Sequence, residues 1–249
     1  MRAILAEAGN DGPMDLSVVV PAFNERERIG PTVLAMADYL DDIGISHEIL
    51  VVDDGSTDGT ADQALGAVPR DLRVRVLRLP NNRGKGAAVR EGMLAALGAR
   101  RLFMDADLST PPDQLAILWE ALDAGADIAI GSRGLPDAEL RVRQPSWREG
   151  MGRSFNVLVQ SLVLDGISDT QCGFKLFRAG AAEHVFALSR LDGFAFDVEV
   201  LALARRARLL IHELPVVWAH RDRSKVAPIV DSWSMLADLL RIRRRLGRR

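Results

Sequence analysis

The sequence predicts an α/β protein: a mainly parallel sheet flanked by helices, with a basic amphipathic helix at the C-terminal end. Three observations predict it. Short β-rich runs alternate with helix-length stretches, the pattern of βαβ units. Polar or acidic residues follow these runs at their C-terminal ends, where open α/β sheets collect their ligands. From 229 to 246, Leu236, Leu239, Ile242 and Leu246 recur at helical spacing, while Arg241, Arg244, Arg245 and Arg248 fall on another side.

In chain order, strands are expected over 16–20, 48–52, 74–79, 101–104 and 127–130. Helices are expected between them over 29–43, 57–67, 86–99 and 112–124. Pro31 and Pro112 suit first-turn helix positions, and Ser56 or Thr57 would cap the second helix. After Ser132 the rhythm changes. Residues 133–147 read as a polar loop, 149–164 as a helix, and 169–177 as a turn running into a short strand. Helices follow over 179–188 and 197–206, a strand over 209–217 and a last helix over 229–246. The expected organisation is a mobile tail (1–14), one α/β domain (15–220, in halves 15–130 and 131–220) and a C-terminal loop and helix (221–249).

Composition excludes several classes. Among 249 residues, 34 acids against 32 Lys and Arg give a net charge of −2, so no nucleic-acid partner is indicated. From Arg241 onward there are six arginines and no acid, which suits an anionic membrane surface. Trp233 would serve there as an interfacial anchor; the alternative is a helix docked on the domain with a solvated tail. The single Cys172 rules out an intramolecular disulfide and reads as a small buried residue rather than a nucleophile. No run reaches the roughly 18 apolar residues of a membrane span. The first 15 residues carry Glu7 and Asp11 and are not expected to be a secretory signal.

Asp105-Ala-Asp107 closes the fourth strand. Alternate strand residues point the same way, so the two carboxylates repel unless a cation joins them. Hard oxygen ligands suit Mg²⁺ or Mn²⁺ and a substrate diphosphate; the alternative is two solvated loop acids. Asp53-Asp54-Gly-Ser follows the second strand, with either nucleoside recognition or helix capping as its task. Pro21-Ala-Phe-Asn-Glu25 follows the first, and Asn82-Arg83-Gly84-Lys85-Gly86 the third, where cations and glycine backbone would approach phosphate. His47, His184 and His212 lack metal spacing, and His220, just past the last strand, is a candidate third ligand or diphosphate contact.

Taken in order, Val18-Val-Val-Pro21-Ala-Phe-Asn-Glu25, Val51-Val-Asp53-Asp54-Gly-Ser-Thr-Asp58, Asn82-Arg-Gly-Lys85-Gly and Asp105-Ala-Asp107 resemble the nucleotide-sugar half of family 2 glycosyltransferases of the GT-A, Rossmann-like fold. Gly131-Ser-Arg133, Asp169-Thr-Gln-Cys-Gly-Phe-Lys175, Gly193-Phe-Ala-Phe-Asp197-Val-Glu199 and Ser224-Lys225 resemble the polyprenyl-phosphate hexosyltransferases, nearer the dolichyl-phosphate β-glucosyltransferase branch than the mannosyl one. The resemblance implies an inverting, metal-dependent transfer of a hexose, glucose ahead of mannose, from a nucleoside diphosphate sugar (UDP-glucose favoured) to polyprenyl or dolichyl phosphate.

It also implies roles. Pro21, Phe23, Glu25, Asp53 and Asp54 would hold the nucleoside. Asp105 and Asp107 would bind Mg²⁺ or Mn²⁺ with the diphosphate, Lys85 and Lys225 would attend the diphosphate, and Arg133 and Arg148 would meet the acceptor phosphate. Either arginine could instead form a structural ion pair. Asp169 is a base, an orienting group or a turn residue; Asp197 and Glu199 face the acceptor pocket or begin a helix. Ser109 departs from the pattern, because mannosyl relatives often carry Gln there. The expected location is cytoplasmic and peripheral at the membrane, with a homo-oligomer or an integral membrane partner left open. The alternatives are a GT-A enzyme for a soluble or protein-linked hydroxyl, and a non-catalytic nucleotide-sugar binding module.

Overall fold

The structure, a computed structural model, describes residues 14–68, 73–142, 146–221 and 228–247. Its first two strands, β1 (Leu16–Ala22) and β2 (His47–Asp53), are buried along their whole length. A strand covered on both faces must be apolar on both, with odd and even residues serving opposite layers. Val18, Val20, Ile49 and Val51 accordingly pack toward α1 (Arg26–Asp42), α2 (Thr60–Ala67) and α4 (Leu115–Asp123). Val19, Leu50 and Val52 pack toward α3 (Lys85–Ala95), α6 (Ala179–Leu188) and α7 (Phe196–Arg206).

The seven-stranded sheet has the order β3 (Val74–Arg78), β2, β1, β4 (Arg100–Met104), β7 (Phe174–Arg178), β5 (Ile128–Ser132), β8 (Ile211–Pro215). The chain leaves β1 toward β2 and β3 on one side and returns to β4 on the other, so a crevice opens between the carboxyl ends of β1 and β4. Strand β7 runs antiparallel to both neighbours, with Phe103 opposite Lys175 and Met104 opposite Phe174. Its reversed direction brings its N-terminal end, and the 169–173 turn before it, beside the carboxyl end of β4.

Several expectations need correction. The 133–147 segment is not all loop: β6 (Glu139–Val142) pairs in parallel with β9 (Val217–Ala219) in a second, two-stranded sheet. The single strand expected over 209–217 is therefore two, β8 and β9. Pro31 sits in the interior of α1, not its first turn, whereas Pro112 does open a short 3₁₀ turn before α4. Neither Ser56 nor Thr57 caps α2, which starts after Gly59. Asp58 Oδ1 instead accepts the N–H of Thr60 at 3.0 Å and its hydroxyl at 2.5 Å. Helix α5 (Ser146–Leu162) starts before the expected 149.

The last helix, α8 (Pro228–Leu246), shares the core of the domain, burying Leu239 and Ile242 completely or nearly so. Arg245, expected to share the basic side of the helix with Arg241, Arg244 and Arg248, instead turns inward to pair with Glu199 at 2.8 Å. No helix among the described residues is long and apolar enough to cross a membrane. Lys225, Arg248 and the side chains of Arg148 and Trp233 lie outside the described residues.

Candidate active site

The loops after β1 and β2 are tied to each other. Asn24, at φ 52°, donates its backbone N–H to Ser56 Oγ at 2.8 Å, and its side-chain oxygen accepts the N–H of Thr57 at 3.0 Å. Asparagine tolerates this left-handed conformation better than most residues. Pro21 is buried and Phe23 half-buried at the mouth of the crevice. Glu25 holds Arg28 at 2.6 Å and its N–H donates to Thr60 Oγ1, so this carboxylate already has a cation.

Asp53 and Asp54 divide two structural tasks. Asp53 Oδ1 accepts the N–H of Ser56 at 2.9 Å and closes the turn. Asp54 accepts the N–H groups of Arg83 and Gly84 at 2.9 and 2.8 Å and so anchors the segment that leads into α3. The next amides of that segment, Gly86 and Ala87, donate to the Asp192 carbonyl at 2.8 and 3.3 Å. A phosphate arriving here would thus meet side chains rather than these four amides, which corrects the expectation of a backbone cradle. The glycines have a different use: a Cβ on Gly84 would stand 2.5 Å from the Asp192 carbonyl oxygen, and one on Gly86 2.5 Å from that of Leu191.

The structure brings Lys85, Asp105 and Asp107 together. Lys85 Nζ lies 2.7 Å from Asp105 Oδ1 and 5.2 Å from the centre of the Phe103 ring. Burial pulls the ammonium down, but Asp105, Asp197 and Asp107 outweigh that and hold it above its ordinary value. Asp107 Oδ1 accepts the N–H of Ser109 at 2.9 Å across Leu108, whose φ is 53°. Ser109 and Thr110 line a small cleft with Asp105, Gly173 and Trp218.

Gly173 was not marked by its spacing, yet it is the residue most tightly fitted to the site. A Cβ there would lie 2.1 Å from Asp105 Oδ2, and its carbonyl accepts the N–H of Asp105 at 3.0 Å. The cheapest relief is for the Asp105 carboxylate to swing away, so the cost falls on the site rather than on the fold. Gly173→Ala is expected to cut turnover about a hundredfold with a thermal midpoint near that of the parent. Steady-state kinetics beside a melting curve check this.

Asp169 and Arg133 form a fork-to-fork pair: Nε meets Oδ2 at 2.6 Å and Nη2 meets Oδ1 at 2.9 Å, while the Arg133 N–H also donates to Oδ2. The Asp169 N–H in turn donates to Glu213 Oε1 at 2.8 Å. Burial raises the Asp169 carboxyl, but Arg133 beside it outweighs this and holds it at about 2. A carboxylate so placed is a poor proton acceptor near neutral pH; it orients Arg133 over Trp218, 5.4 Å from the ring centre. Since the folded value lies below the ordinary 3.9 or so, its stabilising contribution is present above about pH 4 and is lost as pH falls from there toward 2. Asp169→Asn should flatten that part of an acid-unfolding curve and introduce no titration between pH 5 and 8.

Lys175 and Asp197 lie 22 residues apart in sequence and meet only in the fold. Lys175 is 1% exposed and its ammonium meets Asp197, while also donating to the Cys172 carbonyl at 2.7 Å. Burial pushes the Asp197 carboxyl up, although Lys175 and Lys85 pull it down. Both lysines lie over Phe103, Lys175 at 5.5 Å, so this buried pair forms the floor under Lys85 and Asp105. A charge falling on the hydrophobic face of a strand was the available signal. Cys172 is buried and its thiol is pushed up to about 12, chiefly by burial, as suits an unreactive residue. His220 donates its N–H to Val142 and its ring leans on Trp218.

The Glycosyl transferase family 2 profile matches residues 17–186, running from β1 into α6. The chain belongs to glycosyl transferase family 2. It is 37% identical to a dolichyl-phosphate beta-glucosyltransferase of Dictyostelium discoideum, covering 94% of this chain and 76% of that protein. It is 39% identical to one of Drosophila melanogaster (91% and 73%) and 37% identical to one of Homo sapiens (92% and 75%). Among solved structures it is similar to glucosyl-3-phosphoglycerate synthase of M. tuberculosis, with a TM-score of 0.71 at 22% identity over 95% of this chain and 82% of that one. The same synthase in complex with Mn²⁺, UDP and glucosyl-3-phosphoglycerate gives 0.70 at 21% identity, over 95% and 81%. These likenesses establish the shared GT-A fold.

A divalent ion fits the residues of this family 2 site. Asp105 and Asp107 offer hard oxygens at one edge, and the Lys85 ammonium on Asp105 marks the place as one that takes positive charge. Among the described residues no group of three His, Cys, Asp or Glu side chains forms a ready-made cage. Two carboxylates with positions left for water and substrate phosphates suit Mg²⁺ or Mn²⁺ better than a closed site would.

Proposed function

We propose that this glycosyltransferase moves glucose from UDP-glucose to a polyprenyl phosphate of the dolichyl type, with inversion at the anomeric carbon. A phosphate oxygen of the acceptor attacks C1 of glucose as the bond from C1 to the diphosphate breaks, and UDP leaves. The observation that carries this reading is the state of Asp169. The Asp169 carboxylate, which this reading sets on the acceptor side of the crevice, is spent on Arg133 and held at about 2. A sugar hydroxyl would need a base there. A phosphomonoester, whose second pKa is about 6, is already a nucleophile near neutral pH. The 37–39% identity to dolichyl-phosphate beta-glucosyltransferases over at least 91% of the chain supports the same acceptor and sugar.

The residues then divide as follows. Pro21, Phe23, Glu25, Asp53 and Asp54 shape the nucleoside end, Asp53 and Asp54 by fixing its loops. Asp105 and Asp107 would hold Mg²⁺ or Mn²⁺, which when bound neutralises charge developing on the diphosphate. Lys85 and Lys225 attend the same phosphates. Arg133, aimed by Asp169, and Arg148 orient the acceptor phosphate. The exposed Arg241, Arg243 and Arg244 of α8 would meet anionic lipid at the cytoplasmic face, keeping a peripheral enzyme near its lipid acceptor.

The acceptor is tested by offering radiolabelled UDP-glucose with a polyprenyl phosphate or with the matching polyprenol, in detergent. Label is expected in lipid only with the phosphate. A chelator should stop the transfer, and Mg²⁺ or Mn²⁺ should restore it. Efficient transfer to the free alcohol, or transfer indifferent to the chelator, would contradict the proposal.

A further inference from the structure

We propose that Glu199 is a positioning residue for the segment carrying Lys85, and that Arg245 of α8 holds it in that role. The inference rests on the reading that Lys85 faces the donor diphosphate. Gly86 and Ala87 carry two of the orphan N–H groups of the first turn of α3. Both donate to the Asp192 carbonyl, at 2.8 and 3.3 Å, so the start of this helix is set by the 190–193 loop rather than by its own cap. That loop is fixed from beneath. The N–H groups of Arg190 and Leu191 both donate to Glu199 Oε2 at 2.8 Å, and Glu199 is 1% exposed. Its other oxygen meets Arg245 Nη1 at 2.8 Å, and Arg245 also donates to the Leu188 carbonyl at 3.1 Å.

The coupling to Lys85 is steric as well as hydrogen-bonded. Gly84 and Gly86 flank Lys85, and each lets the 190–193 loop approach closer than any Cβ would permit. A second tie runs from Asp192 Oδ1 to Arg90 Nη2 at 2.5 Å. The loop therefore cannot shift without moving the first turn of α3, and a packed contact of this kind transmits displacement instead of absorbing it. Arg245 supplies the charge that lets a buried carboxylate hold two backbone amides. The docking of the C-terminal helix is thus felt at the phosphate side of the site through Glu199.

The test is Arg245→Met in the full chain, with Arg245→Lys as the conservative variant. Glu199 keeps the N–H groups of Arg190 and Leu191, and Arg245 is 30% exposed, so water replaces its guanidinium more readily than the ammonium of the fully buried Lys175 and the protein should stay folded. Hydrogen exchange at Gly86 and Ala87 is expected to quicken about tenfold, while amides of β1 and β2 keep their protection. The dissociation constant for UDP and the donor KM should rise several-fold with little change in kcat, and lysine should restore much of both. Unchanged exchange at Gly86 and Ala87, or an equal increase in β1 and β2, would overturn the proposal. The exchange measurement needs no nucleotide. If the parent protein binds no UDP, the donor reading fails and the relay from Arg245 is still decided.

Discussion

Asp107→Ala is expected to lower glucosyl transfer by about 10²- to 10³-fold or more, and Asp107→Asn to lower it by a similar factor. The two variants should differ in stability. In the parent, Asp107 Oδ1 accepts the Ser109 N–H and so holds Leu108 in a left-handed conformation that a branched apolar residue adopts at a cost. Asparagine keeps that acceptor and removes the charge; alanine removes both. The alanine variant should therefore lose about 1 kcal/mol more stability than the asparagine one, visible as a lower denaturation midpoint. Activity lost equally with stability restored would place the role of Asp107 in its charge. An asparagine variant that turns over normally would reduce Asp107 to a turn residue.

The largest effect on stability is expected at Lys175. Lys175→Met leaves Asp197, 4% exposed, as a buried carboxylate without its neighbouring ammonium. Breaking a buried pair from one side typically costs about 3–5 kcal/mol. The urea midpoint should fall accordingly. Replacing both partners with apolar residues of similar volume, as in the Lys175→Met, Asp197→Leu double variant, should recover part of the loss, because no charge is then stranded. The single variant should also slow transfer, since an uncompensated Asp197 would compete with Asp105 for Lys85. A double variant less stable than Lys175→Met would contradict this account of the floor of the site.

Much of the fold was legible because β1 and β2 are buried on both faces, so their centres, Val18–Val20 and Ile49–Val52, are unbroken apolar runs, a strong signal in any sequence. Strand β7 was legible as a strand but not in its place. Nothing local to Phe174–Arg178 states that it enters the sheet in reverse between β4 and β5. That placement is a long-range property, and it is what carries Asp169 and Gly173 to the Asp105 edge. Strand β6 was hidden because Glu139–Val142 is short, polar and exposed, and its pairing with β9 is set by distant backbone.

The site was legible in its charges more than in its hydrogen bonds. Asp105, Asp107 and Lys85 stood out by type and position. The glycines around Lys85 suggest room for phosphate, whereas they make room for the 190–193 loop; a missing side chain records a close approach without naming the visitor. Likewise, Asp53 and Asp54 look like ligands in sequence but bind their own backbone. Sequence alone leaves Asp169 open between base, orienting group and turn residue because its partner Arg133 lies 36 residues away; the structure makes it both orienting group and turn residue, since Oδ1 also accepts the Gln171 N–H at 3.1 Å.

The central claim is tested most directly by donor competition. Equal amounts of UDP-glucose and GDP-mannose are offered with a polyprenyl phosphate and Mn²⁺, and the product lipid is identified by mass and by the configuration at its anomeric carbon. The account predicts a β-linked glucosyl phosphate lipid as the main product. Mannosyl lipid in excess, an α-linked product, or no hexosyl lipid at all would contradict it.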